Sequence, residues 1–386
     1  MRMYGMTQRT ILTLGASLIS AATLFTQCTN KPRHDGVALH LKAARHMADS
    51  LGIDTTRYAS TNPTQARETL EKLLTEIKYG HKPTDQSFSK LPEKLDTSLI
   101  GAAMRAADPV AALQANAPAF APYQALLTQY HQAKKTASPD QLREIKQTLN
   151  FYRYLSRFEG DKFIVVNIPA ARLAVFNRAG NRELPMAVIV GKAAKATPRF
   201  NCYLTDIVAY PYWNVPEGIA MKEIVPKVRE NASYLDSQNM EVLNARDQPV
   251  DSESIDWANV SASNFPYRFR QTSGCHNSLG LIKFTLDGPP AIYFHDTNAR
   301  QLFDQTTDRW RSHGCVRVEK PVELANFVLG ATKFDQGFYD RCLTDQTPST
   351  FKLPKPFPVF VTYNLADVDE TGKLVYYNDV YGKPQE

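Results

Sequence analysis

Residues 163–167 read Phe-Ile-Val-Val-Asn, and this stretch decides the fold class. A short run so rich in β-branched residues, bounded by turn formers, reads as a strand. Residues 173–176 and 186–190 repeat the pattern, and Ala179-Gly180-Asn181 and Gly191 punctuate it. Further strands are predicted at 291–295, 358–363 and 374–377, with one helix among them over 321–329, stopped by Gly330. Residues 217–290 differ. They are polar, helical over 220–229, then loop-rich, and read as an insertion that covers something.

Upstream of residue 160 the period is helical. Asn62-Pro63 supplies a cap and a first-turn proline, Leu70, Leu73, Leu74 and Ile77 follow at helix spacing, and Gly80 ends the turn. Tyr123, Leu126, Leu127 and Tyr130 form a second stripe. Ser138-Pro139 opens a third helix bearing Leu142, Ile145, Leu149 and Tyr152. These stripes read as packing faces.

The 386-residue chain is 43% hydrophobic and 22% charged, which is ordinary globular composition. With 18 Gly and 24 Pro, scattered, it is neither collagenous nor low-complexity. A net charge of +6 is mildly basic and is not the footprint of a nucleic-acid binder. Arg2 and Arg9 flank a mostly apolar run over 11–25 that is short for a spanning helix. This is the form of an export signal. It ends at Cys28, as in a bacterial lipoprotein signal, although Gln27 stands where such signals carry a small residue. The expectation is an exported, periplasmic protein anchored to a membrane through lipid on Cys28. Cys202, Cys275, Cys315 and Cys342 remain, and their spacing does not choose among pairings.

The chemistry concentrates in residues 291–318, AIYFHDTNARQLFDQTTDRWRSHGCVRV. A cysteine nucleophile needs a base to take its proton, because its free pKa is about 8.5. His295, at a strand end, and Cys315, within Ser312-His313-Gly314-Cys315, supply that pair. Gly314 permits a sharp turn that aims backbone N–H groups at a developing oxyanion. Zinc spacing is poor, with no paired Cys-x-x-Cys. His34, His40 and His46 rotate around a helix and do not stack. Cys275-His276 reads as a loop or half a disulfide. No Gly-rich phosphate loop is present, and no metal or cofactor is expected.

Ser312-His313-Gly314-Cys315-Val316-Arg317, with His295 upstream, resembles the signature of the L,D-transpeptidase (YkuD) family. The likeness extends to Val165-Val166-Asn167-Ile168-Pro169, Val188-Ile189-Val190-Gly191 and Thr197-Pro198. Tyr212-Trp213-Asn214-Val215-Pro216, Ile255-Asp256-Trp257, Pro266-Tyr267-Arg268, Leu279-Gly280, His295-Asp296-Thr297 and Asp379-Val380-Tyr381-Gly382 are similar to its YcbB-type subgroup. The resemblance covers residues 160–386, and more loosely the segment from Pro118 to Tyr130. Two departures stand out. Gly274-Cys275-His276 replaces a Gly-Pro pair, and residues 138–160 are too short to hold a wall-binding module.

The resemblance implies an α+β protein: a helical N-terminal domain on a mostly β, sandwich-like catalytic domain with an inserted capping subdomain. The expected division is 1–27 signal peptide, 28–157 helical domain, 158–345 catalytic domain with a 217–290 cap, and 346–386 completing strands. It implies peptidoglycan stem peptides as substrate and inhibition by carbapenems. Cys315 is the implied nucleophile and His295 the proton donor and acceptor, oriented by the backbone carbonyl of Asp296. His313, Gly314 and the Cys315 N–H are the implied oxyanion site. Trp213, Asn214, Tyr293, Ser312 and Arg317 are candidates for substrate binding. For Trp213 core packing stands as an equal reading, and for Arg317 bracing of the motif turn. A hydrolase using the same acyl-enzyme, and a non-catalytic wall-binding lipoprotein, are the competing functions.

Overall fold

The computed structural model describes residues 34–59, 62–114, 120–304 and 308–382. The signal segment, Cys28 and Pro118 lie outside the described residues. The helices His34–Ser50, Pro63–Tyr79, Thr97–Arg105 and Pro109–Gln114 share a core of Leu41, Leu70, Leu73, Leu74, Ile100 and Leu113. The helix predicted from Asn62-Pro63 is there, and its leucine stripe is buried. Pro139–Tyr154 opens with a reciprocal capping box between Ser138 and Gln141, at 3.2 and 3.0 Å.

Among the described residues sixteen strands follow the pattern change or flank it: β1 Gln86–Ser89, β2 Lys162–Asn167, β3 Arg172–Asn177, β4 Met186–Gly191, β5 Arg199–Ala209, β6 Trp213–Asn214, β7 Met240–Leu243 and β8 Pro249–Val250. The remainder are β9 Arg268–Gln271, β10 Ile282–Leu286, β11 Phe294–His295, β12 Trp310–Ser312, β13 Val316–Val318, β14 Ser349–Thr362, β15 Ala366–Val368 and β16 Leu374–Tyr376. The main sheet is mixed and runs β1-β5-β10-β11-β13-β4-β3-β2-β14, with β12 beside β4. β14 also pairs with β5, so the strand path from β5 to β14 closes on itself. Closure leaves those strands without a free edge.

β2 shows why its sequence is continuously apolar. Ile164 and Val166 enter the core inside the strand ring, with Val175, Phe284, Phe294 and Val316. Phe163 and Val165 point the other way, onto Tyr123, Leu126 and Leu149 of the helices Ala121–Ala133 and Pro139–Tyr154. A strand buried on both faces has no polar side. Each such Ile, Val or Phe contributes about 1.5–3 kcal/mol by burial. The helical region is thereby seated on the outer face of β2, β3 and β14.

Three expectations change in detail. The strand predicted over 291–295 shrinks to Phe294–His295, because Pro289-Pro290 precede it and Ala291 takes a left-handed φ of +62°. The strand predicted over 358–363 is the end of the longer β14. Pro354, Pro356 and Pro358 disguise its start, and the ladder shifts register between Lys352 and Phe357. The loop-rich part of 217–290 contains a small sheet, β6-β9-β7-β8, with its own core of Val215, Ile224, Val228, Val242 and Phe269. Its strands are two to four residues long, too short to show a period. Helical turns precede that sheet, and Ala220–Ile224 forms a wide π-turn between Glu217–Ile219 and Val225–Glu230. Pro226 lacks the N–H that an α-helix would return to Lys222, which accounts for the widening.

Candidate active site

β11 ends at His295, between β10 on one side and β13 on the other. Cys315 stands immediately before β13, where the Val316 N–H donates to the Tyr293 carbonyl at 3.2 Å. Sheet register therefore places the 293–296 and 312–317 segments side by side. His295 is buried, and its Nδ1 lies 2.5 Å from the Asp296 carbonyl oxygen. A carbonyl only accepts, so Nδ1 carries the proton and Nε2 is left as the basic nitrogen. Burial, with the Arg317 charge adding to it, lowers the imidazole pKa to about 3. The resting base is neutral.

Cys315 is half-buried, and its thiol donates to the Ala291 carbonyl at 3.3 Å. Burial pushes the thiol pKa up, opposed by hydrogen bonds from Tyr293 and by the charges of Lys283 and Arg317. His295 is not a hydrogen-bond partner of the thiol in this structure. The resting state is thus a neutral thiol beside a neutral imidazole, and a turn of the cysteine side chain away from Ala291 is needed before proton transfer.

The residues around this pair divide by what they touch. Ser312 is buried, donating to the Cys315 carbonyl at 2.6 Å and accepting the Gly314 N–H at 3.1 Å. It braces the turn and does not face a substrate. The Gly314 N–H is thus already taken within the turn. Gly314 serves the turn through its φ of +113°, and a Cβ there would meet Ile292 at 3.2 Å. His313 directs Nε2 to Glu223 of the cap at 2.7 Å. Trp213 is half-buried and packs against the core of the cap, with Tyr293 close by. Asn214, next along the same strand, points to the opposite side and accepts from Arg268 at 2.6 Å. Asn214 is therefore part of the cap surface and not of the cleft. Arg317 is half-buried, with Nη1 3.4 Å from Thr297 Oγ1 and Nε without a partner.

Sequence reading missed Lys283, Glu223 and Arg300. Lys283 is a single lysine in an alternating strand. Arg300 bonds Asp296 Oδ1 and the Glu319 carbonyl, each at 2.9 Å, and also Tyr339. The family-like motifs outside the site support it from behind. Thr197 Oγ1 donates to the Gly314 carbonyl at 2.8 Å, and Tyr381 Oη to the Gly191 carbonyl at 2.6 Å. A disulfide joins Cys275 to Cys342 and ties the loop below the cap to the segment after Gln336–Asp340.

Such an arrangement has the parts that cysteine acyl transfer needs. Residues 161–348 match the YkuD family model, the L,D-transpeptidase catalytic domain. A curated Haemophilus influenzae protein, provisionally named an L,D-transpeptidase, is 35% identical over 219 residues. That alignment covers 57% of this chain and 44% of the relative, so the chain spans less than half of the relative's length. The solved Enterococcus faecium L,D-transpeptidase aligns at 10% identity and a TM-score of 0.24, covering 56% of this chain and 62% of that one. The Mycobacterium smegmatis enzyme aligns at 14% and 0.21, covering 52% and 58%. Residues 161–348, a little under half of the chain, thus carry an L,D-transpeptidase catalytic domain.

Proposed function

We propose that this protein is a peptidoglycan L,D-transpeptidase. The observation that carries the reading is the His295 Nδ1–Asp296 carbonyl contact, on the strand beside the Cys315 turn. It leaves one basic nitrogen on the nucleophile's side of the sheet. The donor is a stem tetrapeptide, cut between its third residue, a diamino acid, and the terminal D-alanine. The Cys315 proton passes to His295 Nε2 as sulfur attacks the carbonyl carbon. The oxyanion faces the Cys315 N–H. Collapse breaks the C–N bond, and His295 returns its proton to the departing D-alanine amine. A thioester remains, which keeps the acyl group activated without ATP. An amine of a second stem attacks it and gives a proton to His295; collapse breaks the C–S bond, the proton returns to the Cys315 sulfur, and a 3→3 cross-link is closed.

The Glu223–His313 contact favours transfer over hydrolysis, because it holds the cap against the catalytic turn, where it limits water. The family membership supports acylation by carbapenems, and an L,D-transpeptidase has been solved in complex with imipenem. Residues 1–28 support export and a lipid anchor at Cys28, and among the described residues no helix is long and apolar enough to cross a membrane. The test is incubation with a disaccharide-tetrapeptide beside a Cys315→Ala control, read by mass spectrometry. A dimer lacking one D-alanine, absent from the control, is expected. Tripeptide and free D-alanine without dimer would assign the hydrolase.

A further inference from the structure

Lys283 of β10 pairs directly with His295, and His295 pairs directly with Arg317 of β13. Residues paired in this way project from one face of a sheet. Tyr293 and Cys315 precede His295 and Arg317 by two residues and share that face. Lys283 Nζ sits 4.3 Å from the centre of the Tyr293 ring, and the Tyr293 carbonyl accepts from the Val316 N–H immediately after Cys315. Among the described residues Lys283 forms no ion pair with a carboxylate, and the titratable group whose ionisation acts on it is Cys315. A half-buried ammonium without an anion is costly unless an anion forms beside it.

We propose that Lys283 is the cation that holds Cys315 as thiolate once its proton has moved to His295. The proposal rests on reading Cys315 as the nucleophile and does not depend on the substrate. Lys283 exchanges no proton and forms no bond. Its charge, screened little at a half-buried site, stabilises the sulfur anion left when the proton moves to His295, before attack. The same charge, with that of Arg317, disfavours the imidazolium of His295. This hastens return of the proton to the leaving amine. Arg317 is the other cation on the face, but its Nη1 is engaged by Thr297. Tyr293 is the remaining titratable group there, and burial pushes its hydroxyl pKa up, so it stays neutral. Burial presses the lysine pKa down and the thiol raises it back, as the proposed pairing requires.

The test is the pH profile of iodoacetamide alkylation at Cys315, followed by peptide mapping on the full chain. A neighbouring opposite charge shifts a pKa by roughly one unit or more, so Lys283→Met should move the midpoint up and slow alkylation about tenfold below it. Lys283→Arg should restore the wild-type midpoint. Lys283→Gln, which keeps the polarity of the strand face, should repeat the Met result and covers the case in which Met disturbs folding. Thermal melts establish that each variant is folded. A folded Met or Gln variant with the wild-type midpoint would overturn the proposal, as would an Arg variant shifted as far as Met. No muropeptide is used, so failure here and failure of the cross-linking assay are separate results.

Discussion

The His295 imidazole and the Asp296 carbonyl oxygen meet at 2.5 Å through Nδ1, within two consecutive residues of one strand end. The contact fixes the tautomer locally. What holds Asp296 is distant in sequence: its carboxylate accepts from the Leu281 N–H and from Arg300, each at 2.9 Å. The base is thus oriented by a short-range contact that long-range contacts keep in place.

The depressed pKa of His295 predicts a pH dependence of stability. The folded imidazole protonates near pH 3, the unfolded one near 6.5. Between these values the unfolded chain binds more protons, so stability is intact above about 6.5 and falls as pH drops toward 3. Urea denaturation at about pH 7 and about pH 4 should show wild type losing on the order of 3 kcal/mol more than His295→Gln. Equal losses would mean that His295 is not buried neutral.

Glu223→Gln separates the cap from the catalytic turn. Its partner His313 and Glu223 itself are 31% and 43% exposed, so the pair is worth at most about 1 kcal/mol and the melting temperature should barely move. The partition of the thioester should move instead, with more tripeptide and less dimer. An unchanged product ratio, measured by chromatography and mass spectrometry, would remove the contact from any role in excluding water.

The Cys275–Cys342 bridge closes a span of 67 residues. On the chain-entropy model such a cross-link is worth about 4 kcal/mol. Cys275→Ser paired with Cys342→Ser, or reductant added to wild type, should lower urea stability by up to that amount. Thiol counting on denatured, unreduced protein beginning at Thr29 should label Cys202 and Cys315 and leave Cys275 and Cys342 unlabelled.

Tyr152 Oη donates to Asp367 Oδ1 at 2.5 Å, joining the helix Pro139–Tyr154 to β15. Burial already raises the Asp367 pKa, and this hydrogen bond opposes it. Tyr152→Phe should cost about 1–3 kcal/mol in urea denaturation, because a half-buried carboxyl loses its donor. Cys315 alkylation should be unaffected, since the contact lies on the other side of the β2–β3–β14 wall.

What could be read from the sequence was what depends on near neighbours. The cap at Ser138-Pro139, the strand at 163–167 and the stop at Gly330, which takes φ +67°, are set within a few residues. The Cys315–His295 neighbourhood was legible because both residues lie in one short span. Lys283, Glu223 and Arg300 were not, because β-sheet register and the folding back of the cap bring them in from elsewhere. The same applies to Asn214 and Ser312. Which way Asn214 points depends on its pairing with Arg270 across the cap sheet, and Ser312 is consumed by the turn it belongs to. The choice of Cys275 and Cys342 as partners is likewise tertiary.

The most direct test of the account is intact-protein mass spectrometry after brief mixing with the tetrapeptide donor and no acceptor amine, with peptide mapping of the adduct. The account predicts a mass gain equal to the donor minus D-alanine, mapped to Cys315, absent in Cys315→Ala and strongly reduced in His295→Ala. An adduct on any other residue, or normal acylation of His295→Ala, would contradict it.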